Sequence, residues 1–124
     1  VQEKITGKNH YDYWTALDSK IDMYIAIEDH DNALKFSNEL IELSKGTRYQ
    51  ILYKQNHATI LHDLGKYEEA ISIQKEIISY YTRINDTSSF EYIQGVYKLR
   101  IIYVASYLKS QLFFKPHRTF LYYI

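Results

Sequence analysis

The chain of 124 residues has no cysteine, a single proline and four glycines. Without thiols it can form no disulfide, no thiolate zinc site and no cysteine nucleophile. Several short strands would need more glycine and proline punctuation than this, so the pattern reads as long helices. Charge of one sign is also lacking, since fifteen basic side chains cancel fifteen acidic ones. A protein dominated by nucleic-acid binding usually carries a basic excess, so nucleic acid is not an expected partner. Long hydrophobic runs are missing too: the most apolar stretch, 96–112, is interrupted by Lys98, Arg100 and Lys109, so no membrane span is expected. The N-terminus has no signal-peptide core. The compartment stays open; the cytoplasm is favoured, with the periplasm as the alternative for a sensor input domain. A start at Val1 rather than methionine suggests an excised segment or a processed product.

Apolar residues make up 46% and charged residues 24%, an ordinary balance for a chain that folds around a core. The charge is unevenly spread along it. Residues 1–45 hold nine acidic and five basic groups, whereas residues 84–124 hold two and five. An acidic start and a basic end suit end-to-end or electrostatically guided association, although chance variation on a solvated surface gives the same profile.

A shift of 37 residues brings two segments into register. Ala33-Leu34 meets Ala70-Ile71, Phe36 meets Ile73, and Glu39-Leu40-Ile41 meets Glu76-Ile77-Ile78. Upstream, Tyr24 meets Leu61, Ile27 meets Leu64, and Glu28-Asp29-His30 meets Gly65-Lys66-Tyr67. Each unit reads as helix, tight turn, helix. The first pair covers about 11–28 and 31–44, ended by Gly46, and the second about 47–64 and 67–83. Thr87 or Ser88 can cap a third helix, from about Ser88 to Ser110. Amphipathic stripes recur on the second helix of each pair: Ala33, Phe36, Leu40 and Ile41, then Ala70, Ile73, Ile77 and Ile78. One pair cannot cover such a stripe alone, so neighbouring pairs must stack.

Leu64-Gly65-Lys66-Tyr67-Glu68-Glu69-Ala70 resembles the turn and start of helix B in the tetratricopeptide (TPR) family, with Ala58 at the small position of helix A. The resemblance is closest to the TPR regions of bacterial regulatory or sensor proteins. It implies an all-α fold of stacked antiparallel helix pairs, a TPR-like α-solenoid of about two and a half repeats. The units are about 11–46, 47–84 and a partial third at 87–110, followed by an aromatic tail at 111–124. The third unit departs from the pattern, with Tyr107 where an alanine is expected. The tail lacks a polar face. Phe113, Phe114, Phe120 and Tyr122 are its candidate interface, either folded back on the open end or paired in a homodimer.

No catalytic constellation is present. His57 and His62 are five apart, and no HExxH or comparable metal spacing occurs. Asp18 and Asp22 share a helix face, where paired carboxylates can do acid–base work or bind a divalent ion; on a helical surface they are far more often a solvated acidic patch. No enzyme activity, cofactor or metal is expected. The resemblance places a binding groove on the A helices, which gives Asp18, Asp22, Gln55, Thr59, His62, Tyr92, Val96 and Arg100 as candidates. Capture of chaperone C-terminal tails, which uses a lysine and asparagines there, does not fit Asp18, Asp22 and Gln55. The expected function is protein or peptide binding in the input or scaffold part of a larger bacterial regulatory protein, such as a two-component sensor. The partner is a protein, a peptide or an adjacent domain. The alternatives are a structural unit that dimerises through its tail and, with less support, a nucleic-acid-binding repeat built on interleaved basic and aromatic residues in 97–123.

Overall fold

The computed structural model describes residues 11–114, with side chains to 112. Among them are five helices and no strand: α1 Tyr11–Ala26, α2 His30–Leu43, α3 Tyr49–Asp63, α4 Tyr67–Arg83 and α5 Phe90–Phe114. They form two compact units, divided between Lys66 and Tyr67. α1 to α3 belong to the first and α4 with α5 to the second. The division falls at the turn inside the segment read as the second repeat. No described helix is long and apolar enough to cross a membrane.

In the first unit α2 packs against both α1 and α3. Both packings are antiparallel. Tyr13 Oη donates to Glu39 Oε2 at 3.1 Å near one end of the α1–α2 pair, and Tyr24 stacks on Phe36 near the other. Gln50 Nε2 donates to the Ile41 carbonyl, and His30 approaches Asp63 at the opposite end of α2 and α3. α1 and α3 therefore run parallel, and they touch directly where Trp14 meets Tyr49 edge-on. Trp14, Leu17, Ile21, Ala33, Leu40, Tyr53 and Ile60 form the core of this unit.

The stripe on α2 is buried at Ala33, Ser37, Leu40 and the C-cap Ser44, and that on α4 at Ala70, Gln74, Ile77 and Tyr81. Each member of the first set precedes its counterpart by 37 residues. Phe36, Ile41, Ile73 and Ile78 flank these rows and are only partly buried. The centre of each row holds a polar group that the hydrophobic pattern does not reveal. Ser37 Oγ lies 2.9 Å from His57 Nδ1 on α3, and Gln74 Nε2 donates to the Gly95 carbonyl on α5 at 3.0 Å. In both units the B-type helix thus joins the helix that follows its partner in the register by a buried polar contact. Burial without a partner would cost such a group roughly 1–3 kcal/mol.

The turns repeat as well. After α1 the Glu28 amide donates to the Ile25 carbonyl and the Asp29 amide to Tyr24; after α3 the Gly65 amide donates to His62 and the Lys66 amide to Leu61. This is the Schellman closure, which requires a left-handed residue at its centre. Gly65 has φ +77° and Glu28 has φ +61°, again 37 apart. The same closure follows α4, with Asn85 at φ +59°. Asp29 then caps α2, its carboxylate accepting from the Asn32 amide.

Two boundaries differ from the sequence reading. The cap of α5 is Ser89, whose Oγ accepts from the Tyr92 amide, rather than Thr87 or Ser88. α5 continues through Phe114, so 111–114 extend the helix instead of opening a tail. In the register of Glu28 and Gly65 stands Ile102, buried in an unbroken helix.

Substitutions at two positions test this framework. A non-glycine residue in the left-handed region costs roughly 1–2 kcal/mol, partly offset by glycine's greater freedom when unfolded. Glu28→Gly is expected to raise stability by about 0.5–1 kcal/mol, read as a higher urea midpoint at unchanged slope. Gln74→Ala, which removes both volume and the bond to Gly95, is expected to lower it by about 1–3 kcal/mol, and Gln74→Leu by less.

Candidate functional site

The A-type helices position the candidate face. On α1, Asp18 and Asp22 are one turn apart and turn toward α3. There Asn56, three residues past Tyr53, carries a carboxamide with two protons to donate. Its Nδ2 donates to Asp18 Oδ1 at 3.1 Å and to Asp22 Oδ1 at 3.0 Å. One amide therefore clamps two carboxylates across the α1–α3 contact. Asp22 is exposed, whereas Asp18 and Asn56 are partly buried.

Burial, reinforced by the negative charge of Asp22, raises the Asp18 carboxyl above its ordinary range, with the Asn56 bond opposing. Beneath it, burial together with the Asp18 charge pushes the Tyr53 phenol up to about 12. The phenol therefore stays neutral, and the negative potential of the site comes from the two carboxylates. The neighbouring edge of α1 carries Lys20 with its ammonium 4.2 Å from the centre of the Phe36 ring.

Asp18 and Asp22 share a face of α1, as their spacing implies, and Asn56, which the sequence did not point to, joins them. Asparagine at 56 gave no pattern signal, because its role depends on the parallel packing of α1 and α3. Gln55 and His62 lie about 100° and 120° around α3 from Asn56 by helical geometry. Thr59 is nearer, but its hydroxyl donates back to the Gln55 carbonyl at 3.2 Å. His62 stands beside Asp63, with His30 Nε2 3.6 Å from the same carboxylate. Tyr92, Val96 and Arg100 lie on α5 in the second unit, the first two partly buried and Arg100 exposed. Of the interface candidates, Phe113 and Phe114 close α5 with side chains outside those described, and Phe120 and Tyr122 lie outside the described residues.

Among the described residues no three histidine or carboxylate side chains converge as metal ligands. Ser37 and His57 form a hydroxyl–imidazole pair, yet they are only 2% and 8% exposed, and a nucleophile must reach its substrate. The pair serves the α2–α3 packing. Comparison with models of protein families, with curated proteins and with solved structures finds no match.

The raised Asp18 carboxyl fixes the sign of a prediction. An acid held above its unfolded value of 3.8 opposes folding while charged, and this opposition fades as pH falls through its folded value. Asp18→Asn should therefore raise the urea midpoint at pH 7. The gain over the parent chain should shrink as the pH is lowered into the carboxylate range.

Proposed function

We propose that this chain is a protein- or peptide-binding helical-repeat module of the tetratricopeptide type. In this reading it forms the input or scaffold part of a larger bacterial regulatory or signalling protein, such as a two-component sensor. The observation that carries the reading is the Asp18–Asn56–Asp22 clamp. The core is supplied by the buried rows and by Trp14, Leu17 and Ile21, so the two carboxylates are not needed for packing. Burial raises the Asp18 carboxyl, so its charge is held at some cost to folding, as is common at binding sites.

The chemistry of the face selects the partner. Two acceptors fixed by one amide suit a ligand that presents cationic donors, such as a lysine- or arginine-bearing peptide segment. The second reading, a self-assembling structural unit, draws its support from the exposed apolar residues of α5.

A peptide array scored for lysine and arginine content, followed by calorimetric titration of the best sequence, tests the proposal. The preferred peptides are expected to be basic and to bind more weakly as salt rises. The double substitution Asp18→Asn with Asp22→Asn should cut affinity at least tenfold, about 1.4 kcal/mol. Equal binding by the parent and the double variant, or a preference for acidic peptides, would assign the groove elsewhere.

A further inference from the structure

The Asp18–Asn56–Asp22 clamp occupies one end of the α1–α3 contact, and an aromatic shelf occupies the other. Tyr11 and Tyr49 meet there, one from each helix, with ring centres 4.7 Å apart. Tyr11 is 48% exposed, and Leu52, one turn on from Tyr49, is 51% exposed. Shelf and clamp lie on one strip. By helical geometry Tyr11, Asp18 and Asp22 fall within about 40° around α1, and Tyr49, Leu52 and Asn56 within about 60° around α3. Tyr53 lies between the two ends: besides burial, its phenol is raised by the Asp18 charge and by Tyr11 and Tyr49. Tyr49 meets Tyr11 and Trp14, and Asn56 meets Asp18 and Asp22. The step from Tyr49 to Asn56, about 10.5 Å at 1.5 Å per residue, is therefore the distance from shelf to clamp.

Charge gives the strip a direction. At the shelf Arg48 holds its guanidinium 5.2 Å from the centre of the Tyr49 ring and donates to the Tyr49 hydroxyl. At the clamp two carboxylates face outward. A cationic side chain is repelled by the first and attracted by the second, whereas a large apolar one finds ring faces only at the shelf. An extended peptide rises about 3.3 Å per residue, so three positions span the gap. We propose that the partner is an extended peptide segment with a basic residue on the clamp and a large apolar or aromatic residue three positions away on the Tyr11–Tyr49–Leu52 shelf. This rests on the basic-peptide reading of the clamp and adds a second contact and a spacing to it.

Glycine–serine peptides carrying an arginine pair and one tryptophan, placed one to seven positions from the nearer arginine, are the probes, titrated calorimetrically against the full chain. Affinity is expected to peak at a separation of three, within one position, at least tenfold above the same peptide without tryptophan. Tyr11→Ser and Leu52→Ser should each remove most of that gain and leave binding of the tryptophan-free peptide unchanged. Both positions are exposed, so helicity by circular dichroism should match the parent. Asp18→Asn with Asp22→Asn should weaken every peptide. An affinity that ignores the separation or peaks elsewhere overturns the proposal, as does a tryptophan gain that survives both shelf substitutions; the basic-peptide reading then stands. Arginine peptides that fail to bind the parent chain, or that bind the double aspartate variant equally well, overturn both.

Discussion

A serine hydroxyl and a glutamine carboxamide sit at the centres of two helix faces that are otherwise apolar. Each is almost fully removed from water, so each must find its partner on a neighbouring helix. Ser37 finds the His57 imidazole and Gln74 finds the Gly95 carbonyl. A purely apolar stripe tolerates small rotations and slides, because dispersion contacts are non-directional. A single buried hydrogen bond does not, since a shift of one residue leaves the group unpaired. These two contacts therefore set the rotation of α2 and α4 about their axes. That rotation decides which residues of α1, α3 and α5 are left facing outward.

The acidic clamp follows from that placement. Asn56 reaches Asp18 and Asp22 because α1 and α3 run parallel on the same side of α2, and the Trp14–Tyr49 contact keeps them close. Burial and the charge of Asp22 raise the Asp18 carboxyl above its ordinary range, so its charged form opposes folding. One donated amide offsets part of this and holds the charge pair in a fixed geometry. The cost is tolerable because the core below, from Trp14 to Ile60, is apolar and continuous. Stability and a preorganised charged face are thus drawn from different layers of the same three helices.

Much of this architecture was legible in the residues. The alanines at 33 and 70, the leucine–isoleucine rows and the turn at Gly65 gave helix pairs at a 37-residue interval. The structure has the same interval in its buried positions and left-handed turns. Glu28 illustrates a limit: nothing in a glutamate signals positive φ, and only its register with Gly65 suggests it. Ser37 and Gln74 illustrate another, because polar residues on a stripe read as surface until the neighbouring helix supplies a partner. Asn56 was invisible for a third reason. Its function lies in a contact between helices 34 to 38 residues apart, and periodicity along one helix carries no information about which residues of another will face it.

The end of the repeat has a physical cause that connects it to the exposed apolar residues of α5. The helices α1 and α3 stop where Glu28 and Gly65 can take the left-handed conformation. At the next step of the register stand Ile102 and Tyr103. A β-branched residue is especially disfavoured there, and Ile102 is needed in the packing against α4. The helix therefore continues through the place where a turn would have folded the chain back. The residues that a returning helix would cover are instead displayed along one side of α5, with basic groups at both edges. The same residue that secures the α4–α5 pair thereby leaves an apolar surface open beside it.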